Sequence, residues 1–272
     1  MEKLRLSYSK ITTWQTCHKK YYWTYIEKLT PKVKAQPLQI GDVVHKLHHL
    51  WVIGKLTPEI IIDLPKVVTK LYPENTEFES SEVAMWAGIL MKGYLDKYSE
   101  DDPLEFISSE VHIEVELEHV VLVMKVDALA RPKDQRLWRV EHKTTKRMDS
   151  FYLAGLKGGL QAALYDFGIE QMFHEKSSGT IYNLLVKTKV PDYHRAYAMA
   201  SRTAIDRALA TVEGVYQEIQ QGDYFPSSWC FSYNSECGYK KLCDFDSEQT
   251  REAFYTERKE ANDEWMEKLN SE

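Results

Sequence analysis

Val120-Val121-Leu122-Val123-Met124-Lys125-Val126-Asp127-Ala128-Leu129-Ala130 is apolar nearly throughout, as for a strand covered on both faces, yet it carries Asp127. A turn over Arg131-Pro132-Lys133-Asp134-Gln135 leads to a second strand, Leu137-Trp138-Arg139-Val140-Glu141-His142-Lys143. Before both, Phe106 to Leu117 alternates apolar and polar residues with period two. Three adjacent strands predict an antiparallel meander at the heart of a sheet. In such a pair Asp127 and Glu141 fall opposite or diagonal, near enough to share one cation. Glu141 and Lys143, two apart, point to the same face.

Outward from these strands the periodicity changes to that of helices. Ser7 or Ser9 caps a first helix with apolar residues at Ile11, Trp14 and Cys17. A second runs from about Ile40 to Ile53 with Val43, Val44, Leu47 and Leu50 on one face. Pro58 to Tyr98 stays helical and is divided by Pro65 and Pro73. Leu153 to Glu170 reads as one helix, Gly179 to Val186 as a strand, and Ala204 to Gln221 as an amphipathic helix. The tail from Asp246 to Glu272 reads as a charged surface helix. With no repeat, linker or low-complexity tract, the expectation is one domain over 1–272. Within it lie a helical insertion at about 54–102, a core at about 103–222 and a cysteine segment at about 226–245 that joins Cys17.

The composition, 43% hydrophobic and 28% charged, is that of an ordinary globular chain. A net charge of −6 argues against a protein that coats nucleic acid nonspecifically, though carboxylates that hold cations are themselves acidic. Seven Trp and 17 Tyr allow buried bulk or base stacking, and composition alone favours the former. No run approaches a membrane span, so no membrane partner is expected. Met1 to Leu6 lacks the apolar core of a signal peptide, which predicts a cytoplasmic address.

Two carboxylates at this spacing would hold Mg²⁺ or Mn²⁺, whose charge and bound water serve phosphodiester hydrolysis. Lys143 would orient that water or stabilise developing charge. The bland account of Asp127 and Glu141 is charge on a half-exposed strand, but an unpaired carboxylate after a long apolar run is costly. His45, His48 and His49 crowd two helical turns, and each is a candidate ligand or a core histidine. Glu110 is a further carboxylate or one of several solvated charges. Gln161 and Tyr165 lie one helical turn apart, as a surface pair or as donors to a phosphate or metal-bound water. Cys17 and Cys230-x6-Cys237-x5-Cys243 fit neither a paired-knuckle zinc site nor a redox Cys-x-x-Cys; four thiolates take zinc or an iron–sulfur cluster.

Taken in order, these motifs resemble the RecB-like branch of the PD-(D/E)XK nuclease superfamily. The nearest likeness is to its iron–sulfur members, the CRISPR-associated RecB-like exonucleases and the nuclease domain of AddB. The stations are Leu6-Ser7-Tyr8-Ser9-Lys10-Ile11 through Cys17, Gly41-x-x-x-His45, Asp127, Glu141-x-Lys143, Gln161-x-x-x-Tyr165 and the cysteine trio. The resemblance implies a restriction-endonuclease-like α/β fold, a mixed sheet flanked by helices. It makes His45, Asp127, Glu141 and the backbone carbonyl of His142 the Mg²⁺ or Mn²⁺ ligands and Lys143, Gln161 and Tyr165 catalytic. Cys17, Cys230, Cys237 and Cys243 would bind a 4Fe-4S cluster, with zinc the alternative because the family spaces its last cysteines x2 then x5. The implied activity is a DNA exonuclease on single strands or duplex ends. Its implied partners are a helicase, an annealing protein or CRISPR adaptation proteins, and a phage origin would place it in an infected host cell. The rival is a non-cutting DNA- or partner-binding protein of the same fold.

Overall fold

The computed structural model describes residues 3–132, 136–228, 230–232 and 235–258. Strand β1 (Leu4–Leu6) leads to helix α1 (Tyr8–Thr16), the short α2 (His18–Tyr21), a π-helical turn over Tyr22–Ile26, and β2 (Leu29–Pro31). Helices α3 (Gln36–Val52), α4 (Pro58–Leu71) and α5 (Glu77–Tyr98) precede strands β3 (Leu104–Glu116), β4 (Val120–Pro132) and β5 (Trp138–Thr145). Then come α6 (Ser150–Lys157), α7 (Leu160–Phe173), β6 (Thr180–Val186), β7 (Asp192–Ala198) and α8 (Arg202–Gln221). Short elements follow: β8 (Phe231–Ser232), β9 (Ser235–Glu236), α9 (Lys240–Asp244), α10 (Glu248–Phe254) and β10 (Tyr255–Glu257).

The long β3–β4 hairpin forms because one face of β4 is apolar at every second residue. Val120, Leu122, Met124 and Val126 are buried there, while Lys125 on the other face is exposed. Only Ala128–Ala130 are buried on both faces, so the expectation of a strand covered on both sides holds for its last part alone. The six-stranded sheet runs β1-β4-β5-β6-β7, with β3 on the second edge of β4. The β3–β4–β5 meander is antiparallel as expected. β1 and β6 are added in parallel, which makes the sheet mixed.

Since β3 occupies one edge of β4 along nearly its whole length, β1 and β5 share the other. β1 pairs with Val120–Leu122 and β5 with Ala128–Ala130. The β4–β5 ladder therefore stops one residue short of Asp127, where its register would bring Glu141 opposite.

Helices cover both faces of this sheet, the arrangement in which each apolar stripe finds a partner. On one face α1, α7 and α8 pack Ile11, Trp14, Leu164, Val212 and Val215 onto Leu122, Met124 and Val126. On the other, α3, α4 and α5 form a second core from Val43, Leu47, Val68, Leu90 and Tyr94, closed by Leu185 and Tyr193. No helix among the described residues is long and apolar enough to cross a membrane.

Several boundaries depart from the periodicity reading. Ser7, not Ser9, caps α1, its side chain accepting from Lys10 N at 3.3 Å. Pro65 stands inside α4, and the carbonyl it strands belongs to Ile61 on the exposed side. The expected single helix Leu153–Glu170 is two, because Gly158 closes α6 and Gly159 opens α7. β7 has no apolar alternation to reveal it; only Tyr193 and Ala198 are buried. Among the described residues the tail is helical only over Glu248–Phe254 before β10 pairs with β2. The rest of that expected helix, from residue 259, lies outside the described residues, as do residues 133–135 of the expected turn.

Gly179 enters β6 at φ +113°, and a Cβ there would stand 2.2 Å from the carbonyl oxygen of Ala198. Gly179→Ala is expected to cost about 3 kcal/mol in urea unfolding. Gly88→Ala, where a Cβ meets nothing, should be neutral or stabilising by up to about 1 kcal/mol. Equal effects at both positions would contradict this backbone geometry.

Candidate metal and hydrolysis site

Where β4 and β5 diverge, side chains replace the missing ladder. His142 N donates to Asp127 Oδ2 at 2.9 Å, fixing the carboxylate at the end of the pairing. His45 reaches it from α3, with Nδ1 3.3 Å from Asp127 Oδ1. Gly41, one turn earlier on α3, lets the helix approach the end of β5; a Cβ there would be 3.3 Å from Thr144 Oγ1.

Burial penalises both members of this pair, but each charge stabilises the other. Asp127 is held below the ordinary carboxylate range, and His45 is lifted to about 9. The imidazolium thus balances Asp127.

Glu141 is buried and has a denser shell. Its Oε1 accepts from Lys143 Nζ at 2.6 Å and from Gln161 Nε2 at 3.0 Å. Burial would lower the Lys143 pKa, but Glu141 outweighs it and raises it. Oε2 is buried without a hydrogen bond. Arg139 Nη1 lies 3.7 Å from it and is also buried without a hydrogen bond.

The fully buried Arg139 is the site residue that sequence reading missed. Its guanidinium lies 4.6 Å over the Tyr165 ring, and its Nε and Nη2 donate to Thr180 Oγ1. The signal was present: Arg139, Glu141 and Lys143 alternate on one strand and share a face. Gln161 and Tyr165 are therefore not a surface pair. Gln161 holds Glu141, while Tyr165 lies under Arg139, and burial pushes its pKa up to about 12.

The other histidines separate. His49 Nδ1 is 2.9 Å from Ser109 Oγ, which donates to the Asp127 backbone carbonyl at 3.1 Å. His48 is buried, stacks on the His142 ring at 3.7 Å and has no hydrogen bond at either nitrogen. Burial holds His48 well below its usual pKa and brings His142 to about 3. Glu110 is not a solvated charge. It pairs with Lys46 of α3 at 2.9 Å and with Lys125 of β4 at 3.1 Å.

A hard cation fits this site by donor type. His45, Asp127 and Glu141 offer an imidazole and two carboxylates, and Glu141 Oε2 is an orphaned buried acceptor. In the side-chain positions seen, no three His, Cys, Asp or Glu groups among the described residues converge on one ion.

Cys17, Cys230, Cys237 and Cys243 are free thiols that line one small pocket of about 70 Å³, with Pro226, Tyr239 and Lys240 beside them. Two backbone N–H groups, of Lys20 and Ser227, each donate to Cys17 Sγ at 3.4 Å and outweigh burial to lower its pKa. Cys243 is raised by burial and by the other three sulfurs. The four thiols therefore share one pocket without the tight convergence that a single ion demands. A cavity of about 780 Å³ is lined by Asp166, Glu170, Ser201 and Arg202 and borders none of these groups.

Residues 5–244 match the model of the PD-(D/E)XK nuclease superfamily. The chain is similar in structure to a protein from Eubacterium rectale called "Putative exonuclease". That match has 17% identity and a TM-score of 0.53, covering 88% of this chain and 86% of that one. At that identity the likeness shows the fold alone. A second solved structure, SSO0001, aligns at 18% identity and a TM-score of 0.30 over 65% of this chain and 84% of that one, too loosely to carry an argument. No curated protein matches the chain.

Removing the buried cation beside Glu141 should be costly. Arg139→Met is expected to destabilise the fold by about 1.5–3 kcal/mol in urea unfolding, because it removes the donors to Thr180 and the cation beside Glu141 Oε2 while Lys143 and Gln161 still hold Oε1. A loss below about 1 kcal/mol would show that Arg139 does not balance Glu141.

Proposed function

The chain belongs to the PD-(D/E)XK nuclease superfamily, and from that premise we propose that it is a Mg²⁺- or Mn²⁺-dependent DNA nuclease. We read it as an exonuclease on single strands or duplex ends. The observation that carries this is the gap between β4 and β5. There Asp127 with His45, and Glu141 with Lys143 and Gln161, stand on adjacent strands. Asp127, Glu141, His45 and the His142 carbonyl would hold the cation. Bound there, the ion supplies Lewis-acid charge and a water of lowered pKa. Lys143, released from Glu141, would orient that water and stabilise charge developing on the phosphate. Gln161 keeps the Glu141 carboxylate from rotating freely. Tyr165 and Arg139 support the same carboxylate from behind.

The cysteine pocket is proposed to hold a 4Fe-4S cluster that ties the α1–α2 junction at Cys17 to α9 and the residues before it. Four free thiols facing one space support a metal centre over isolated core cysteines.

Lys143→Ala and Asp127→Asn should each lower Mg²⁺-dependent degradation of end-labelled DNA by at least about 10²–10³-fold with an unchanged circular dichroism spectrum. Full activity in both would overturn the assignment. Anaerobically purified protein should be brown with about four irons per chain. Cys237→Ala should lose the colour and at least about 5 °C of thermal midpoint. Colourless protein with one zinc would replace the cluster by a zinc site.

A further inference from the structure

The ends of β5 and β6 carry charges that the cutting chemistry does not use. Residues 143–148 and 186–191 contain Lys143, Lys146, Arg147, Lys187 and Lys189 and no acid, in a chain of net charge −6. Because β5 and β6 are parallel, these ends lie side by side, with Lys187 N donating to Thr145 O at 2.7 Å. Lys143 is engaged by Glu141, and Arg147 by Asp149 at 3.0 Å. Among the described residues no ion pair takes up Lys146, Lys187 or Lys189.

Lys187 is also held in place. Its Nζ lies 4.6 Å over the ring of Trp86 on α5. Burial and the nearby charge of Lys146 lower its pKa. The facing carboxylate, Glu82, accepts from Gln36 Nε2 at 2.9 Å. Two ammonium groups thus stand together with no anion of the protein bound to either, beside a half-buried indole. Along the same helix Met85 and Ile89 are exposed at 51% and 41%.

Such a pair favours a phosphate, and its position says which one. Lys146 is three residues past Lys143 and just beyond the end of β5, so at most about 10 Å away at about 3.3 Å per extended residue. A polyanion with its reacting phosphate at Lys143 therefore brings its next phosphates over this rim. Paired cations beside an apolar, aromatic helix edge suit a single strand, whose bases are free to lie against it.

We propose that single-stranded DNA runs from the Asp127–Glu141 site across the ends of β5 and β6. Adjacent phosphates rest on Lys146 and Lys187, and the strand lies against the Trp86 edge of α5. This rests on the nuclease reading and adds the path that the strand takes.

The test is fluorescence anisotropy of a labelled single-stranded oligonucleotide in EDTA, titrated at several KCl concentrations. Lys146→Ala/Lys187→Ala should weaken binding about tenfold or more. It should also reduce the slope of log affinity against log salt by about 1.4, since each phosphate contact in a single strand contributes about 0.7. Lys176→Ala, which removes one lysine charge before the opposite end of β6, should change neither. A double variant that matches wild type in affinity and slope overturns the path, as does a Lys176→Ala variant weakened equally. Degradation of the same strand with Mg²⁺ separates the two claims. Wild type that degrades DNA beside a double variant that binds normally overturns the path alone. Wild type that neither binds nor degrades DNA overturns the nuclease reading with it.

Discussion

The hydrogen bond from His142 N to the Asp127 carboxylate marks where β5 stops pairing with β4 and where a side chain takes over from the ladder. Backbone groups at a divergence must find other partners, because leaving them buried and unpaired is costly. Here the partner is itself a carboxylate, so satisfying the backbone also fixes an anion at the mouth of the gap. Glu141 stands one residue earlier on β5, on the strand's opposite face to His142, and the register brings it to the level of Asp127. β3 occupies the other edge of β4 and β6 the other edge of β5, so both diverging strands stay anchored in the sheet.

Charges around the gap are held in opposed pairs, which is how a fold tolerates carboxylates at this depth. Asp127 is balanced by His45, and Glu141 by Lys143 and the buried Arg139. Helix α7 contributes twice from one face, through Gln161 to Glu141 and through the Tyr165 ring to Arg139. The site is thus built from both helical layers: α3 brings His45 from one side, and α7 brings Gln161 and Tyr165 from the other.

Much of this was legible in the chain. The apolar period of β4, the Asp127–Glu141 relation and the shared face of Glu141 and Lys143 follow from strand geometry alone. The choice among His45, His48 and His49 did not, since three histidines within two turns differ only in what the helix meets. Arg139 was missed because a cation in a strand reads as a solvent position until burial is known. β7 was missed for the opposite reason: Arg195 in its middle is satisfied by Asp102, with two contacts of 2.6 Å, so the strand needs no apolar alternation. The Gly158-Gly159 break was visible as a dipeptide but outweighed by the helical period on either side. The four cysteines show no common spacing, and only the fold brings residue 17 to the pocket of residues 230, 237 and 243.

The central claim is that the gap between β4 and β5 is a cation site, and anomalous diffraction from Mn²⁺-soaked crystals tests it most directly. The account predicts a manganese peak within about 2.3 Å of carboxylate oxygens of both Asp127 and Glu141, with His45 turned to the ion and Lys143 released from Glu141. Manganese bound elsewhere, with the His45–Asp127 and Lys143–Glu141 pairs intact at saturating metal, would contradict it.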